Sequence, residues 1–438
     1  MPDARPPRAG PLRVAVITRA MYPIHGYGGL ERHVYDLVRH LLALGTVITV
    51  ITQPARSFAL TRRSRPAATD LPDLSHPDLS FEWIPYRTFP YAGRRGTTVL
   101  DRSTAYLLFG YRAGRRAASL AERGRIDLVY GLGGSALGYA MARPQPGSPG
   151  PPLVFNPQGL EEFGATDSSY AGARLKRLAY FPLQRAVLRC ARAADRVIAT
   201  DRALESVVAA HLHVAADRIR VVPNAIDLAE CDRLAGPDDG ARLRAEHGIA
   251  ATEPILLSVG RLEENKGFHL LAEALGSLAG VRWRWVLVGR GPFHGRLEQV
   301  VKDRGIEDRV LFAGRVEDRV LHAWYEAATL FVHPTLYEGS SLVTLEAMAH
   351  RRAVVGTTAG GLPDKIQDGV TGWLIEPGDS QALARAVSDA LSEPARLDAM
   401  GVAGRRVVET TFAWPPVAER LLEVCREVVA GSEPAASR

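Results

Sequence analysis

Short apolar runs alternate with amphipathic stretches along most of the chain, and this alternation predicts strands followed by helices. The first apolar run, Arg13–Thr18, leads through a glycine-rich loop to an amphipathic helix over Leu30–Leu44 and then to a second run, Val47–Thr52. Apolar runs bounded by turn residues are typical of buried strands, and apolar positions three and four apart are typical of helices. The chain is therefore predicted to open with a β-α-β unit.

The same alternation restarts in the second half of the chain. Strands are predicted at Ile255–Val259, Trp285–Val288, Val310–Ala313, Leu330–His333 and Ala353–Gly356, with helices between them. Alternating strands and helices favour parallel, doubly wound sheets. Two consecutive series predict an α/β protein with two Rossmann-like domains.

The two series also set the expected domain boundaries. Residues 1–12 are expected to be a disordered tail, residues 13–228 the first domain and residues 229–411 the second. We interpret residues 227–253 as the linker and expect a final helix, about 412–430, to pack on the first domain. Ligands of open α/β sheets bind beyond the carboxyl ends of the strands, so the active site is expected in a cleft between the two domains.

Composition narrows the class of protein. The 438 residues are 46% hydrophobic and 23% charged, as in ordinary globular proteins. No run of about 18 apolar residues predicts a transmembrane helix, and residues 1–12 lack the apolar core of a secretion signal. The cysteines, Cys190, Cys231 and Cys425, have neither metal-ligand nor disulfide spacing. We expect a cytoplasmic protein, either free or peripheral at the inner face of the membrane.

Charge is divided unevenly between the halves. Residues 1–228 carry 30 basic and 18 acidic residues, a net charge of +12, whereas residues 229–438 carry 24 and 30, a net charge of −6. A basic first domain suggests an anionic partner: a membrane surface, a phosphorylated acceptor or a nucleic acid. Tyr170–Arg189 interleaves basic, aromatic and aliphatic residues, which fits a helix on an anionic membrane surface or a packed helix hairpin with a solvated arginine face.

Two glutamates eight positions apart are the most informative feature of the second domain. Glu338 follows the strand that ends at His333, and Glu346 lies on the next helix, which is expected to begin at Ser340/Ser341. A helix N-terminus has free N–H groups and attracts phosphate. A carboxylate on each side of that anion site can accept hydrogen bonds from hydroxyls, so the run predicts a site for a diphosphate with a sugar at each end.

Two glycine-containing loops follow strands and are candidates for phosphate contact. Arg261 and Lys266, in the loop before the helix at Phe268, can neutralise a diphosphate. Gly28 and Gly29, in the first loop, allow a ligand to approach the backbone, but the G-x-G-x-x-G dinucleotide fingerprint fails because Glu31 stands at its third glycine. No cluster has metal-ligand spacing, so we expect neither a metal nor another cofactor.

Several motifs together resemble glycosyltransferase family 4, over about residues 13–430. They are the E-x7-E pair, the Gly260-Arg-Leu loop ending in Lys266-Gly267, Val221–Asp227, Gly360–Pro363, Asp368–Gly372 and Pro377–Asp379. The resemblance implies retaining enzymes of GT-B architecture that use nucleotide-sugar donors. It also implies departure of the leaving group from the same face that the acceptor attacks, with charge stabilisation and positioning supplied by the protein.

The resemblance assigns expected roles to particular residues. Arg261 and Lys266 would bind the donor diphosphate, Glu338 the donor sugar and Glu346 the ribose. Further donor contacts are implied for residues in three loops: Gly28, Gly29, Arg315, Val316, Ser341 and Leu342. On the acceptor side, Gln158 stands where many members have histidine, and glutamine cannot act as a base. Glu161 or Glu162 would replace it, or Gln158 would only bind acceptor.

The expected partners follow from these roles. The donor would be a UDP-, GDP- or ADP-sugar, and the acceptor a glycan, a lipid-linked molecule or a small metabolite, without nucleic acid. Two other classes stay open. A nicotinamide oxidoreductase would use the same folds, although the dinucleotide fingerprint fails. A non-catalytic protein that binds nucleic acid or lipid would suit the basic half, but it leaves Glu338 and Glu346 without a role.

Overall fold

The structure is a computed structural model that describes residues 10–25, 29–54, 74–86, 103–157, 173–278 and 280–432, with the side chains of 173–179 and 432 left aside. The chain forms two compact units. Unit 1 contains the chain up to Thr200, Leu204–Val222 and the chain from Val417 onward, and unit 2 contains Asp201–Ala203 and Pro223–Pro416. Within the described residues, no helix is long and apolar enough to cross a membrane.

Unit 1 contains one parallel sheet in the order β3-β2-β1-β4-β5-β6-β7. Its strands are β1 (Arg13–Ile17), β2 (Val47–Thr52), β3 (Leu79–Trp83), β4 (Leu128–Leu132), β5 (Leu153–Asn156), β6 (Arg196–Ala199) and β7 (Ile219–Val221). Its helices are α1 (Gly29–Ala43), α2 (Ala105–Glu122), α3 (Leu137–Ala142), α4 (Ala173–Ala193) and α5 (Arg202–Leu212).

Unit 2 contains a second parallel sheet in the order β10-β9-β8-β11-β12-β13. Its strands are β8 (Ile255–Val259), β9 (Arg284–Val288), β10 (Val310–Gly314), β11 (Leu330–His333), β12 (Ala353–Thr357) and β13 (Gly372–Ile375). The helices from Leu228 onward are α6 (Leu228–Leu234), α7 (Pro237–Glu246), α8 (Phe268–Gly276), α9 (His294–Asp303), α10 (Asp318–Ala327), α11 (Leu342–Ala349), α12 (Ser380–Ser392), α13 (Pro394–Val407) and α14 (Trp414–Ser432).

Both faces of the unit 2 sheet are buried. Ile255, Leu257 and Phe331 belong to one hydrophobic cluster, whereas their strand neighbours Leu256 and Leu330 belong to another. Successive side chains of a strand point to opposite faces, so the two clusters lie on opposite sides of the sheet. Continuous apolar runs are expected where helices cover both faces, and the predicted Rossmann-like, parallel fold is confirmed.

Helix α14 carries a charged contact within unit 1. Glu427, near its end, accepts hydrogen bonds from Arg196 at 2.6 Å and from Arg220 at 2.8 Å. These arginines lie on β6 and β7, neighbouring strands of the unit 1 sheet. The segment from Val417 onward accordingly groups with unit 1.

The interpretation of residues 227–253 as a linker is wrong. This segment forms α6 and α7, both within unit 2. Asp227 caps α6 by accepting from the amide of Glu230 at 3.0 Å. Gly240 in α7 lies so close to α10 that a Cβ added there would be 2.7 Å from the amide nitrogen of Ala327. Glycine and aspartate in this segment therefore serve helix capping and helix packing.

Candidate functional site

The sheet of unit 2 has a topological switch point between β8 and β11. These strands are neighbours, but the chain continues from β8 outward to β9 and β10, and from β11 outward to β12 and β13. The loops that leave their carboxyl ends diverge and form a crevice, which is the usual ligand site of such sheets. The loop after β8 carries Lys266, and the loop after β11 carries Glu338.

Backbone contacts hold these two loops together. The amide of Leu336 donates to the carbonyl oxygen of Asn265 at 2.8 Å, and the Thr335 hydroxyl donates to the same oxygen at 3.1 Å. Gly267 has a φ of +67°, and a Cβ added there would lie 1.9 Å from the carbonyl oxygen of Pro334. Only glycine fits this position, so the Lys266-Gly267 motif sets how closely the loops approach.

Glu338 is held by two donors that share one oxygen. Its Oε2 accepts from Lys266 Nζ at 2.8 Å and from His333 Nε2 at 2.6 Å. Among the described residues, no group hydrogen-bonds Oε1. The His333 ring is buried, and its Nδ1 is buried without a hydrogen-bond partner there, so the ring proton belongs on Nε2. The arrangement fixes the carboxylate and leaves one of its oxygens for a ligand.

The same contacts keep Glu338 ionised. Burial alone would raise the pKa of this carboxyl, since its side chain is only 11% exposed. The hydrogen bond from His333 and the positive charge of Lys266 outweigh burial and lower the pKa to about 2. Glu338 is therefore an acceptor for hydroxyl groups at any physiological pH.

The helix after Glu338 begins without a side-chain cap. Ser341 occupies the capping position, but its hydroxyl makes no bond to the helix amides and instead contacts the Thr344 hydroxyl at 2.9 Å. The Ser340 hydroxyl is buried and has no partner in the described structure. The prediction that the helix begins at these serines is confirmed, but their hydroxyls do not cap it. Uncapped amides at a helix N-terminus are suited to an anion.

Glu346, on α11, also has a fixed orientation. The Tyr325 hydroxyl donates to its Oε2 at 2.8 Å. Burial raises the pKa of Tyr325 well above its ordinary value, and the neighbouring Glu346 charge raises it further, so the phenol stays a donor. The Tyr325 ring stacks on His350, with centroids 5.7 Å apart.

A buried chain of polar side chains lies beyond this ring. His350 Nε2 is 2.8 Å from His322 Nδ1, and His350 Nδ1 is 2.6 Å from Glu326 Oε1. Both histidines are buried. Since α10 carries His322 and Glu326 and His350 follows α11, the chain ties together the two helices that supply Tyr325 and Glu346.

Other predicted donor residues lie near this site in sequence but outside its network of contacts. Arg261 is 75% exposed and pairs with Glu263 at 2.9 Å. Arg315 is exposed, and Val316 and Leu342 are half-buried against the core. The structure shows no hydrogen bond or ion pair from Arg261 or Arg315 to Glu338 or Glu346. Their roles remain predictions.

Only some of the predicted site residues of the first domain are among the described residues. Gly29 is the first residue of α1, and a Cβ added there would meet no atom within 4 Å. Gly28 and the acceptor-side residues Gln158, Glu161 and Glu162 lie outside the described residues. Their proposed roles also remain predictions.

The sequence assigned no role to four residues that shape the site. His333 and Tyr325 orient the two glutamates. Gly360 has a φ of +55°, and a Cβ added there would lie 1.7 Å from the carbonyl oxygen of Glu338. Lys365 is buried and donates to the carbonyl oxygen of Gly361 at 3.1 Å. Burial lowers its pKa, against the charges of two aspartates and of Glu338.

No metal-binding group is found in the parts of the chain that the structure describes. There, no three His, Cys, Asp or Glu side chains are placed to hold a metal ion. Lys266 and the N-terminus of α11 supply positive charge at this site.

Two family models match consecutive parts of the chain. The model for Glycosyltransferase Family 4 matches residues 27–230, and the model for Glycosyl transferases group 1 matches residues 239–407. The first match lies mostly in unit 1 and the second in unit 2.

Curated relatives show similarity over part of their length. Alpha-maltose-1-phosphate synthase of Mycolicibacterium smegmatis is 33% identical over 253 residues, which are 54% of this chain and 64% of the relative. GDP-mannose-dependent alpha-(1-6)-phosphatidylinositol monomannoside mannosyltransferase of the same organism is 33% identical over 208 residues, 44% of this chain and 53% of the relative. The chain thus spans less than two thirds of the length of these relatives.

A solved structure supports the architecture over nearly the whole chain. Sucrose-phosphate synthase from Thermosynechococcus elongatus superposes with a TM-score of 0.70 at 22% identity, covering 96% of this chain and all of that one. At this identity the likeness concerns the fold, which is GT-B.

Proposed function

Because this chain belongs to glycosyltransferase family 4, we propose that it transfers a sugar from a nucleotide-diphosphate sugar to a hydroxyl acceptor. One observation carries the proposal. Lys266, His333 and Glu338 meet at the switch point of unit 2, one loop away from a helix N-terminus that has no side-chain cap. The site thus combines a cation, an anion-binding helix end and an ionised carboxylate. Such a combination is suited to a phosphate joined to a sugar.

We assign the parts of the donor to these groups in turn. Lys266 and the first amides of α11, at Ser341 and Leu342, contact the diphosphate. Oε1 of Glu338 accepts a hydroxyl of the transferred sugar, and Glu346, oriented by Tyr325, accepts the ribose hydroxyls. Arg261, exposed and paired with Glu263, turns to the phosphates, and Arg315 and Val316 border the base.

The chemistry we propose is transfer with retention of configuration at the sugar carbon. The bond from that carbon to the donor phosphate breaks, and the acceptor hydroxyl attacks from the same face while its proton passes to the leaving phosphate. The protein stabilises the negative charge that develops on this phosphate through Lys266 and the helix amides. The proposal needs no metal ion, and a chelator is expected to leave the rate unchanged.

The acceptor belongs to glycan or glycolipid synthesis in this proposal. The mannosyltransferase relative is named for a phosphatidylinositol mannoside acceptor. The other relative, a synthase of alpha-maltose-1-phosphate, favours a small phosphorylated sugar as the alternative. We also propose a cytoplasmic location, with which three buried, unpaired thiols are compatible.

A donor screen tests the proposal. Melting temperatures are measured with UDP, GDP, ADP, their sugar conjugates and NAD, and the stabilising donors are then tested for hydrolysis and for the anomeric configuration of the product. We expect one nucleotide diphosphate to stabilise the wild type and Glu338→Gln to abolish turnover. Stabilisation by NAD alone favours an oxidoreductase, and full function of Glu346→Lys favours a non-catalytic binding protein.

A further inference from the structure

A pocket of about 490 Å³ opens on unit 1 between α2, α3 and α4. Leu107 of α2, Leu137 of α3 and Pro182 of α4 provide apolar walls. Three arginines of α4, Arg185, Arg189 and Arg192, also line the pocket. The pocket combines an apolar interior with positive charge on one side and lies outside the proposed donor site, which is in unit 2.

The arginines form a stripe that has no carboxylate partner among the described residues. Arg185, Arg189 and Arg192 are four and three positions apart, so they lie along one face of α4, and all three are exposed. Within the described residues none of them has an ion pair with a carboxylate, and Arg185 stacks over the Phe181 ring at 5.0 Å. Like charges at this spacing destabilise a helix. The stripe is therefore suited to binding an anionic ligand.

Exposed apolar side chains are concentrated on the three helices that form the pocket. Eight large hydrophobic side chains are exposed in the described residues, and four of them are on these three helices. They are Leu108 and Tyr111 on α2, 51% and 42% exposed, Met141 on α3, 44% exposed, and Phe181 on α4, 49% exposed. Tyr111 and Met141 each lie one turn beyond a residue of the pocket wall, Leu107 and Leu137, so they extend the apolar surface.

Two glycines allow the backbones of α2 and α3 to approach closely. A Cβ added at Gly114 of α2 would lie 2.2 Å from the amide nitrogen of Tyr139, and one added at Gly138 of α3 would lie 1.9 Å from the carbonyl oxygen of Tyr111. The backbones of α2 and α3 are thus in direct contact. The exposed apolar side chains of α2 and α3 are therefore carried by two helices in direct contact, and the α4 arginines line the pocket between these helices and α4.

We propose that this face of unit 1, formed by α2, α3 and α4 around the pocket, binds the surface of an anionic phospholipid membrane. The arginines contact lipid phosphates, Tyr111, Met141 and Phe181 enter the boundary of headgroups and acyl chains, and the pocket accepts an acyl chain. Aromatic, aliphatic and arginine side chains on one face are typical of interfacial binding. A symmetric pair of copies meeting through this face would bring arginine against arginine, and a nucleic acid would leave the apolar rim unused.

Vesicle flotation tests the proposal on the full chain. The vesicles are phosphatidylcholine alone, or phosphatidylcholine with a minority of phosphatidylglycerol, at about 0.1 M and about 1 M salt. We expect binding to the anionic vesicles only, and weaker binding at high salt. Arg185→Glu/Arg189→Glu/Arg192→Glu is expected to lower the partition coefficient on the order of 100-fold, since each basic residue near an anionic surface contributes a several-fold factor.

Matched variants distinguish a specific membrane contact from effects of net charge and of misfolding. Arg282→Glu/Arg296→Glu/Arg385→Glu makes the same charge change at three exposed positions of unit 2 and is expected to leave binding within about threefold of the wild type. The triple Arg→Lys variant at 185, 189 and 192 keeps the charges and is expected to keep binding. Phe181→Ser is expected to reduce binding about tenfold at both salt concentrations, because it removes apolar area that becomes buried when the face enters the membrane.

Three outcomes would overturn the membrane proposal. The first is equal binding to neutral and anionic vesicles. The second is an equal loss of vesicle binding in the α4 and the unit 2 Arg→Glu triple variants. The third is binding to a single-stranded RNA without binding to vesicles. Donor hydrolysis is measured on every variant with a soluble acceptor. Since the arginine stripe is outside the proposed donor site, hydrolysis is expected to persist when vesicle binding is lost, so failure of this proposal is separate from failure of the transferase proposal.

Discussion

Lys266 Nζ and Glu338 Oε2, which are 72 residues apart in the chain, lie 2.8 Å apart at the switch point of unit 2. Their side chains are 18% and 11% exposed. The ion pair forms because the loops after β8 and β11 leave neighbouring strands and are held together through Asn265 and Gly267. A cation and an anion in one crevice can bind the phosphate and the sugar of one donor.

Replacement of Lys266 tests the charge at this crevice. Lys266→Met keeps the length of the side chain and removes its charge, so the developing charge on the leaving phosphate loses a partner. We expect kcat/KM to fall by about 10²–10³-fold and thermal stabilisation by the nucleotide diphosphate to weaken. Lys302→Met, the same change at an exposed position of α9, is the control. Similar kinetics for the two variants would contradict the role of Lys266.

The sequence predicted the residues of this site better than their contacts. Glu338 and Lys266 were identifiable because motif spacing placed each in a loop after a strand. The contact between Glu338 and Lys266 could not be identified from the sequence, since both residues were expected to face a ligand. His333 was not predicted as a site residue because it occupies the end of the apolar run that forms β11. Only the three-dimensional contact to Glu338 reveals its role.

The fold was predictable to a similar degree. Buried strands such as β8 and β11 follow from continuous apolar runs. Strand β3 was missed because all five of its residues are exposed or half-buried and it lies at the edge of the sheet. Helices α6 and α7 were mistaken for a linker, since the capping Asp227 and the packed Gly240 are also typical of loops.

The pKa of Glu338 gives a prediction on pH. It is lowered from its ordinary value of 4.5 to about 2, chiefly through His333 once the opposing effect of burial is overcome. A lowered pKa keeps the carboxylate charged above 4.5 and loses that charge only as the pH falls through about 2. In His333→Leu burial is no longer offset by that hydrogen bond, so the pKa of Glu338 rises. We expect the acid limb of kcat/KM to move toward neutral pH, as measured in a pH-rate profile.

The control for this profile is a histidine away from the site. His294→Leu changes a half-buried ring on α9 that pairs with Glu298. Its acid limb is expected to match the wild type. An unchanged acid limb in His333→Leu, with normal melting behaviour, would mean that His333 does not set the ionisation of Glu338.

Tyr325→Phe tests the orientation of Glu346. The change removes the hydroxyl that donates to Glu346 at 2.8 Å and keeps the ring that stacks on His350. If Glu346 accepts the ribose hydroxyls, a freer carboxylate is expected to raise the Kd of the nucleotide diphosphate by about five- to tenfold, which is roughly the net contribution of one ordinary hydrogen bond. Titration calorimetry measures the Kd.

The matched control for this change is in the other unit. Tyr130→Phe removes a buried hydroxyl that accepts from Asn156 at 3.0 Å in unit 1. It is expected to lower stability without changing the nucleotide Kd. Equal changes of Kd in both variants would point to a general loss of stability and against a specific role of Tyr325.

Gly360 tests how the backbone of Glu338 is held in place. Its φ is +55°, and a Cβ would lie 1.7 Å from the carbonyl oxygen of Glu338, so Gly360→Ala must both strain its own backbone and displace the loop that carries the glutamate. Gly369 has a similar φ of +74°, but a Cβ there meets no atom within 4 Å. Gly369→Ala therefore suffers the backbone strain alone, about 1–2 kcal/mol, and is expected to retain turnover. For Gly360→Ala we expect a loss of more than about 3 kcal/mol in the free energy of unfolding, together with loss of donor hydrolysis, measured by denaturant titration and by assay on the folded fraction. Equal stability losses in the two variants would mean that the loop accommodates a methyl group and that Gly360 does not fix the position of Glu338.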